Sequence, residues 1–87
     1  MMQRTVKVKN KLGLHARPSA LVVKAATKYR SEFFIEKDGM KVNGKSIMGV
    51  MMLAAEYGSE LELSANGVDE QYLLDELCEL IQSGFGE

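Results

Sequence analysis

The sequence predicts an α+β fold: a four-stranded antiparallel sheet with three helices on one face, in the order β-α-β-β-α-β-α, an open-faced sandwich. Three observations predict it. Segments that alternate with a period of two are interleaved with segments that repeat every three or four residues. An Asp38-Gly39 pair separates two short strand-like runs, a strong hairpin signal. With 87 residues, 46% hydrophobic and 26% charged, the chain has material for one core and not two. Residues 1–87 are therefore expected to form a single domain.

The first strand runs from Gln3 to Asn10, with Val6 and Val8 on one face and Thr5, Lys7 and Lys9 on the other. Residues 11–14 connect it to a helix over about Ala16 to Tyr29. Pro18, Val22, Ala25, Ala26 and Tyr29 form the apolar stripe of that helix, and Arg17, Lys24 and Lys28 its polar side. Glu32 to Lys37 alternates again, and Met40-Lys41-Val42 is the antiparallel return after the hairpin. Asn43-Gly44 makes a second turn. Ser46 then caps a short helix within the apolar run Ile47 to Ala55. Glu60 to Ala65 is a strand, Asn66-Gly67 a turn, and Asp69 to Ser83 an amphipathic helix stopped at Gly84.

Charge is distributed unevenly along the chain. All 11 lysines and arginines lie in residues 1–45 with three acids, a net of +8. Residues 46–87 hold the other nine acids and no base, a net of −9. Because the fold interleaves strands from both halves, this division describes one domain and not a basic arm with an acidic tail. No apolar run approaches the ~18–20 residues of a membrane span, and the first residues do not build a signal-peptide core. A cytoplasmic protein without membrane insertion is expected. The single Cys78 excludes a disulfide framework within the chain and a cysteine-based zinc motif, and reads as a small core thiol. No metal and no cofactor are expected.

The chemistry concentrates in Leu14-His15-Ala16-Arg17-Pro18. Pro18 suits the first helical turn and disfavours helix just before it, so His15 should cap the helix. An imidazole there lies beside free backbone amides and the positive end of the helix dipole, a setting for a bound anion. Arg17 adds a cation that can hydrogen-bond phosphate oxygens. Those parts suit a nucleophilic histidine whose adduct is anionic. A solvated cap histidine with no chemistry is the bland alternative. General acid–base work is disfavoured because no carboxylate lies nearby in sequence to orient the ring.

Leu12-Gly13-Leu14-His15-Ala16-Arg17-Pro18, together with Gly44-Lys45-Ser46-Ile47-Met48-Gly49-Val50-Met51, resembles the HPr phosphocarrier family of the bacterial phosphotransferase system. The likeness spans essentially the whole chain. It implies a stoichiometric phosphoryl carrier and not an enzyme. His15 would accept a phosphoryl group on Nδ1 from Enzyme I, charged by phosphoenolpyruvate, and pass it to Enzyme IIA-type proteins, with Arg17 stabilising the phosphate. Ser46, besides capping its helix, would be a regulatory phosphorylation site for an HPr kinase/phosphorylase. Ala16, Ala20, Lys24, Lys28, Ile47, Met48 and Met51 would form the partner-binding surface, where flexible methionines suit several partners. A monomer is expected, since a carrier must leave one partner for another.

Two other functions stay open. The lead-in Asn10-Lys11-Leu12-Gly13 and the ending Ile81 to Glu87 resemble the nitrogen-related branch of the same family, which implies a regulatory protein not feeding sugar transport. RNA-recognition modules share a related element order, but they stack bases on central-strand aromatics. Met40-Lys41-Val42 offers none, and nucleic acid is not an expected partner.

Overall fold

A computed structural model describes all residues, Met1–Glu87. Its elements are β1 (Met2–Lys7), α1 (Ala16–Ala26), β2 (Glu32–Lys37), β3 (Met40–Asn43), α2 (Ile47–Met52), β4 (Glu60–Asn66) and α3 (Glu70–Gln82), followed by a left-handed turn at Gly84–Gly86. The four strands form one antiparallel sheet in the order β1-β4-β2-β3. β4, from the acidic half, thus lies between two strands of the basic half. Its register places Glu60 opposite Lys7 and Leu63 opposite Ile35. Val6, Phe33, Ile35, Leu61 and Leu63 are buried from the sheet against Val22, Val50, Leu73, Leu77 and Ile81 from the helices.

The element order agrees with the sequence reading, and several boundaries move. β1 stops at Lys7 and not Asn10, although Val8 still exchanges bonds with the chain at Gly58 and Ser59. Asn10 turns inward instead and is buried. α1 ends at Ala26, because Lys28 and Tyr29 donate three residues back and tighten the chain into turns. α2 covers only Ile47–Met52, ending before Ala54 at φ 49°.

Oppositely charged halves meet across the helices. Arg4 pairs with Asp75 at 2.8 Å, and Glu76 accepts from both Lys28 and the Tyr29 hydroxyl. Cys78 is half-buried against the core, and burial pushes its thiol up from the ordinary value. Asp69 precedes α3 without capping it. Its carboxylate instead accepts from the Ser31 hydroxyl and from the amides of Arg30 and Ser31, and so ties the start of α3 to the chain leading into β2. Those bonds, the Ser31 hydroxyl foremost, hold Asp69 down at about 2 from the ordinary 3.8. A carboxyl lowered by folding contributes stability above its unfolded value and loses it as pH falls through the folded one. Acid unfolding should therefore include a loss between pH 3.8 and about 2 that Asp69→Asn removes. Unchanged steepness of the acid limb in that variant would contradict the assignment.

Candidate functional site

His15 is held by a loop that has almost no freedom. Gly13 adopts φ +70°, and a Cβ there would stand 2.2 Å from the Ala55 carbonyl oxygen. The next amide, Leu14, donates to that same oxygen at 2.9 Å, and the Ser19 hydroxyl caps the Leu14 carbonyl at 3.1 Å. His15 follows in extended conformation as the N-cap of α1, with no side-chain cap bond. Its carbonyl receives the Ser19 amide. The amides of Ala16 and Arg17 donate to nothing in the chain, and Pro18 has no N–H. Two free donors thus border the imidazole.

The two ring nitrogens differ. Nε2 is buried without a hydrogen-bond partner, 3.3 Å from the Glu87 carboxylate, which is an ion-pair distance without hydrogen-bond geometry. Nδ1 makes no bond within the chain and is not among the buried atoms, on a side chain that is 37% exposed. Nδ1 is therefore the nitrogen open to an incoming electrophile. Arg17, 62% exposed, reaches the same Glu87 carboxylate with Nη1 at 3.1 Å.

Glu87 and Asn10 are the residues sequence reasoning missed. The carboxylate absent from the neighbourhood of His15 in sequence arrives from the far end of the chain. Asn10, 4% exposed, donates from Nδ2 to the Gly13 carbonyl at 2.7 Å and to Glu87 at 3.3 Å, while its Oδ1 has no partner. No periodicity links positions so far apart. The available signal was a buried-type asparagine next to a turn and a Gly-Phe-Gly ending whose aromatic needs a place in the core.

Ser46 caps α2, accepting from the Gly49 amide at 3.1 Å. Val50 and Leu53 face the core, while Ile47, Met48 and Met51 are exposed, Met48 at 76%. Met52 joins that apolar patch and was not anticipated. α1 packs against α2, and Ala16, Ala20 and Lys24 lie exposed along one face of α1 at four-residue spacing. Lys28 lies on the side towards α3 and is engaged by Glu76. The structure thus brings His15, Arg17, Ala16 and Ala20 to one end of α1, and sets Lys28 in an ion pair away from the open ring.

The family described as "PTS HPr component phosphorylation site" matches residues 2–83, and the chain belongs to it. It is 48% identical over 87 residues to the phosphocarrier protein HPr of Treponema pallidum, covering 100% of this chain and 99% of that one. Its fold superimposes on HPr of Thermoanaerobacter tengcongensis with a TM-score of 0.96 at 50% identity, covering 100% and 98% of the two chains. It also matches Crh of Bacillus subtilis, whose crystal structure is described as a catabolite-repression protein forming a swapped dimer, with a TM-score of 0.78, 50% identity and 97% of each chain covered. A four-stranded antiparallel sheet with three helices is the fold of this family, and phosphocarrier work in the phosphotransferase system is its general role.

Proposed function

We propose that His15 is the phosphoryl acceptor of this carrier and that the group forms its bond at Nδ1. The observation that carries this reading is an open Nδ1 on a ring flanked by two unpartnered amides, with the Arg17 guanidinium held nearby by the same Glu87 oxygen that faces Nε2. The Nδ1 lone pair forms the new P–N bond as the bond from phosphorus to the donor breaks. The donor atom keeps that electron pair, and the ring holds its proton on Nε2. Passing the group on reverses these roles. Arg17 must exchange Glu87 for phosphate oxygens during transfer, which limits how tightly the adduct is held. That suits a carrier, since the group must also leave.

Enzyme I is the donor in this reading and Enzyme IIA-type proteins are the acceptors. They dock on Ala16, Ala20 and Lys24 together with Ile47, Met48 and Met51, a patch whose exposed methionines can repack against different surfaces. Lys28 contributes from the rim. Residues 1–87 act as one domain, monomeric and cytoplasmic. Ser46, as a phosphorylation site for an HPr kinase/phosphorylase, would add negative charge next to this patch. A regulatory role that does not feed sugar transport, including the nitrogen-related one, is the second reading. The likeness to Crh favours it.

The test is to incubate the protein with Enzyme I and phosphoenolpyruvate, then with sugar-specific Enzyme IIA. One acid-labile phosphoryl group per chain is expected. His15→Ala should accept none, and Arg17→Ala should transfer on the order of 10²–10³ times more slowly, the loss typical for removal of one oxyanion donor. Labelling retained in His15→Ala would overturn the site. Labelling without onward transfer to sugar-specific Enzyme IIA would favour the regulatory reading.

A further inference from the structure

Two buried side-chain polar atoms lack hydrogen bonds, Nε2 of His15 and Oδ1 of Asn10, and both belong to residues next to the Glu87 carboxylate. Their concentration at one spot needs a reason, because buried polar groups are nearly always paired. The backbone supplies a second observation. Gly84, Phe85 and Gly86 all adopt positive φ, at 70°, 59° and 74°. For a phenylalanine that conformation is strained, and such strain persists only where the surroundings fix it. Here the Phe85 ring is buried in the core, and the Glu87 amide donates back to Gly84 at 3.0 Å. Three left-handed residues in a row turn the chain back over the loop before α1, so that the Glu87 carboxylate reaches Nε2 of the imidazole.

We propose that Glu87 and Asn10 are positioning residues for His15: the Asn10 amide holds the Glu87 carboxylate beside Nε2, and that carboxylate keeps the ring proton on Nε2 and the lone pair on Nδ1. Part of this rests on the phosphohistidine reading, since the tautomer matters for transfer only if Nδ1 is the nucleophile. The working nitrogen of a histidine is set by what its other nitrogen binds. Asn10 is suited to the task because Nδ2 already bridges the Gly13 carbonyl, at the root of the His15 loop, to the carboxylate. A neutral imidazole with its proton on Nδ1 would place a lone pair against a carboxylate and leave no nucleophile facing solvent. As the phosphoryl group arrives, positive charge grows on the ring and the attraction between its Nε2 side and the Glu87 carboxylate, 3.3 Å away, strengthens. Asn10 and Glu87 then favour the transfer without touching the phosphorus.

The experiment is ¹⁵N spectroscopy of the histidine ring in the unphosphorylated full chain, at a pH about two units above the ordinary imidazole range so that the ring is neutral. In the intact protein the Nε2 signal should be of protonated type and Nδ1 of lone-pair type. In Glu87→Ala the ratio of the two tautomers should shift towards Nδ1–H by about tenfold, as the carboxylate's attraction for the Nε2 proton is lost. Exchange of the Nε2 proton with water should accelerate in the same variant. Asn10→Ala should shift the ratio in the same direction and by less. Glu87 lies outside the core, so its variant carries the test even if Asn10→Ala fails to fold. A tautomer ratio unchanged in Glu87→Ala, or a proton found on Nδ1 in the intact protein, would overturn the proposal. Because no donor protein is present, these results are separate from phosphoryl acceptance, whose absence would overturn the carrier reading instead.

Discussion

Gly13→Ala should destabilise the fold by about 2–4 kcal/mol and nearly abolish phosphoryl acceptance at His15. The stability loss combines two effects. A non-glycine residue held at φ +70° costs on the order of 1–3 kcal/mol. Its Cβ would also stand 2.2 Å from the Ala55 carbonyl oxygen and 2.9 Å from the Glu56 Cα, both backbone atoms that cannot swing aside. The loop must then lift from residues 55 and 56, and the bond from the Leu14 amide to Ala55 goes with it, a further ~0.5–1.5 kcal/mol. Lifting the loop moves His15 relative to the free amides of Ala16 and Arg17, which is why acceptance falls with stability. Gly39→Ala is the control. Gly39 has φ +83°, and an added methyl group would meet nothing within 4 Å, so that variant carries strain alone, about 1 kcal/mol. Denaturant unfolding of the two variants separates strain from close approach. Equal losses would contradict the tight seating of the His15 loop.

Ser46→Asp should slow phosphoryl acceptance from Enzyme I by about a hundredfold while leaving the fold nearly as stable as before. Ser46→Ala should do the reverse. Ser46 accepts from the Gly49 amide, so alanine loses a cap worth ~1 kcal/mol, whereas aspartate is as good a cap as serine. The docking surface, however, responds to charge. Ile47, Met48, Met51 and Met52 are exposed beside Ser46, and a fixed negative charge there must be desolvated when a partner covers them. An unfavourable charge at an interface costs several kcal/mol, and each ~1.4 kcal/mol is tenfold in affinity. Melting curves for both variants and acceptance rates over a range of Enzyme I concentrations check the two effects together. If aspartate and alanine slow transfer equally, the effect is loss of the cap and not charge, and Ser46 is no brake.

Local chemistry made most of the fold legible. Asp38-Gly39 marked the hairpin and both strands around it, because a tight turn with left-handed residues is written in two adjacent side chains. Ser46 and the Val50 and Leu53 pair defined α2 and its buried side through cap chemistry and helical spacing. Element ends were less visible. Asn10 reads as the last residue of an alternating strand, yet its side chain is drawn inward by Gly13 and Glu87, a tertiary bond that no local pattern encodes. Asp69 reads as the first residue of the last helix, yet it stands just before α3 and its carboxylate serves as an acceptor for the chain before β2.

The site divides along the same line. His15, Arg17 and Pro18 are neighbours whose meaning follows from helix geometry, and they sit together as expected. Glu87 reaches them only because Phe85 is anchored in the core and three left-handed residues reverse the chain. The charge asymmetry was visible but not its use. The +8 and −9 halves suggest a broad basic docking face, whereas Arg4, Arg17 and Lys28 are paired with Asp75, Glu87 and Glu76. Such exposed pairs are worth little stability, but they leave the basic half less positive than the sequence count implies, and Arg17 beside His15 is among them.

The central claim is that His15 carries the phosphoryl group on Nδ1. ³¹P and ¹⁵N spectra of the protein after treatment with Enzyme I and phosphoenolpyruvate test it directly. The predicted result is one acid-labile phosphoramidate resonance per chain, coupled to Nδ1 of His15 and absent from His15→Ala. A phosphoryl group on Nε2, on any other residue, or persisting in His15→Ala would contradict it.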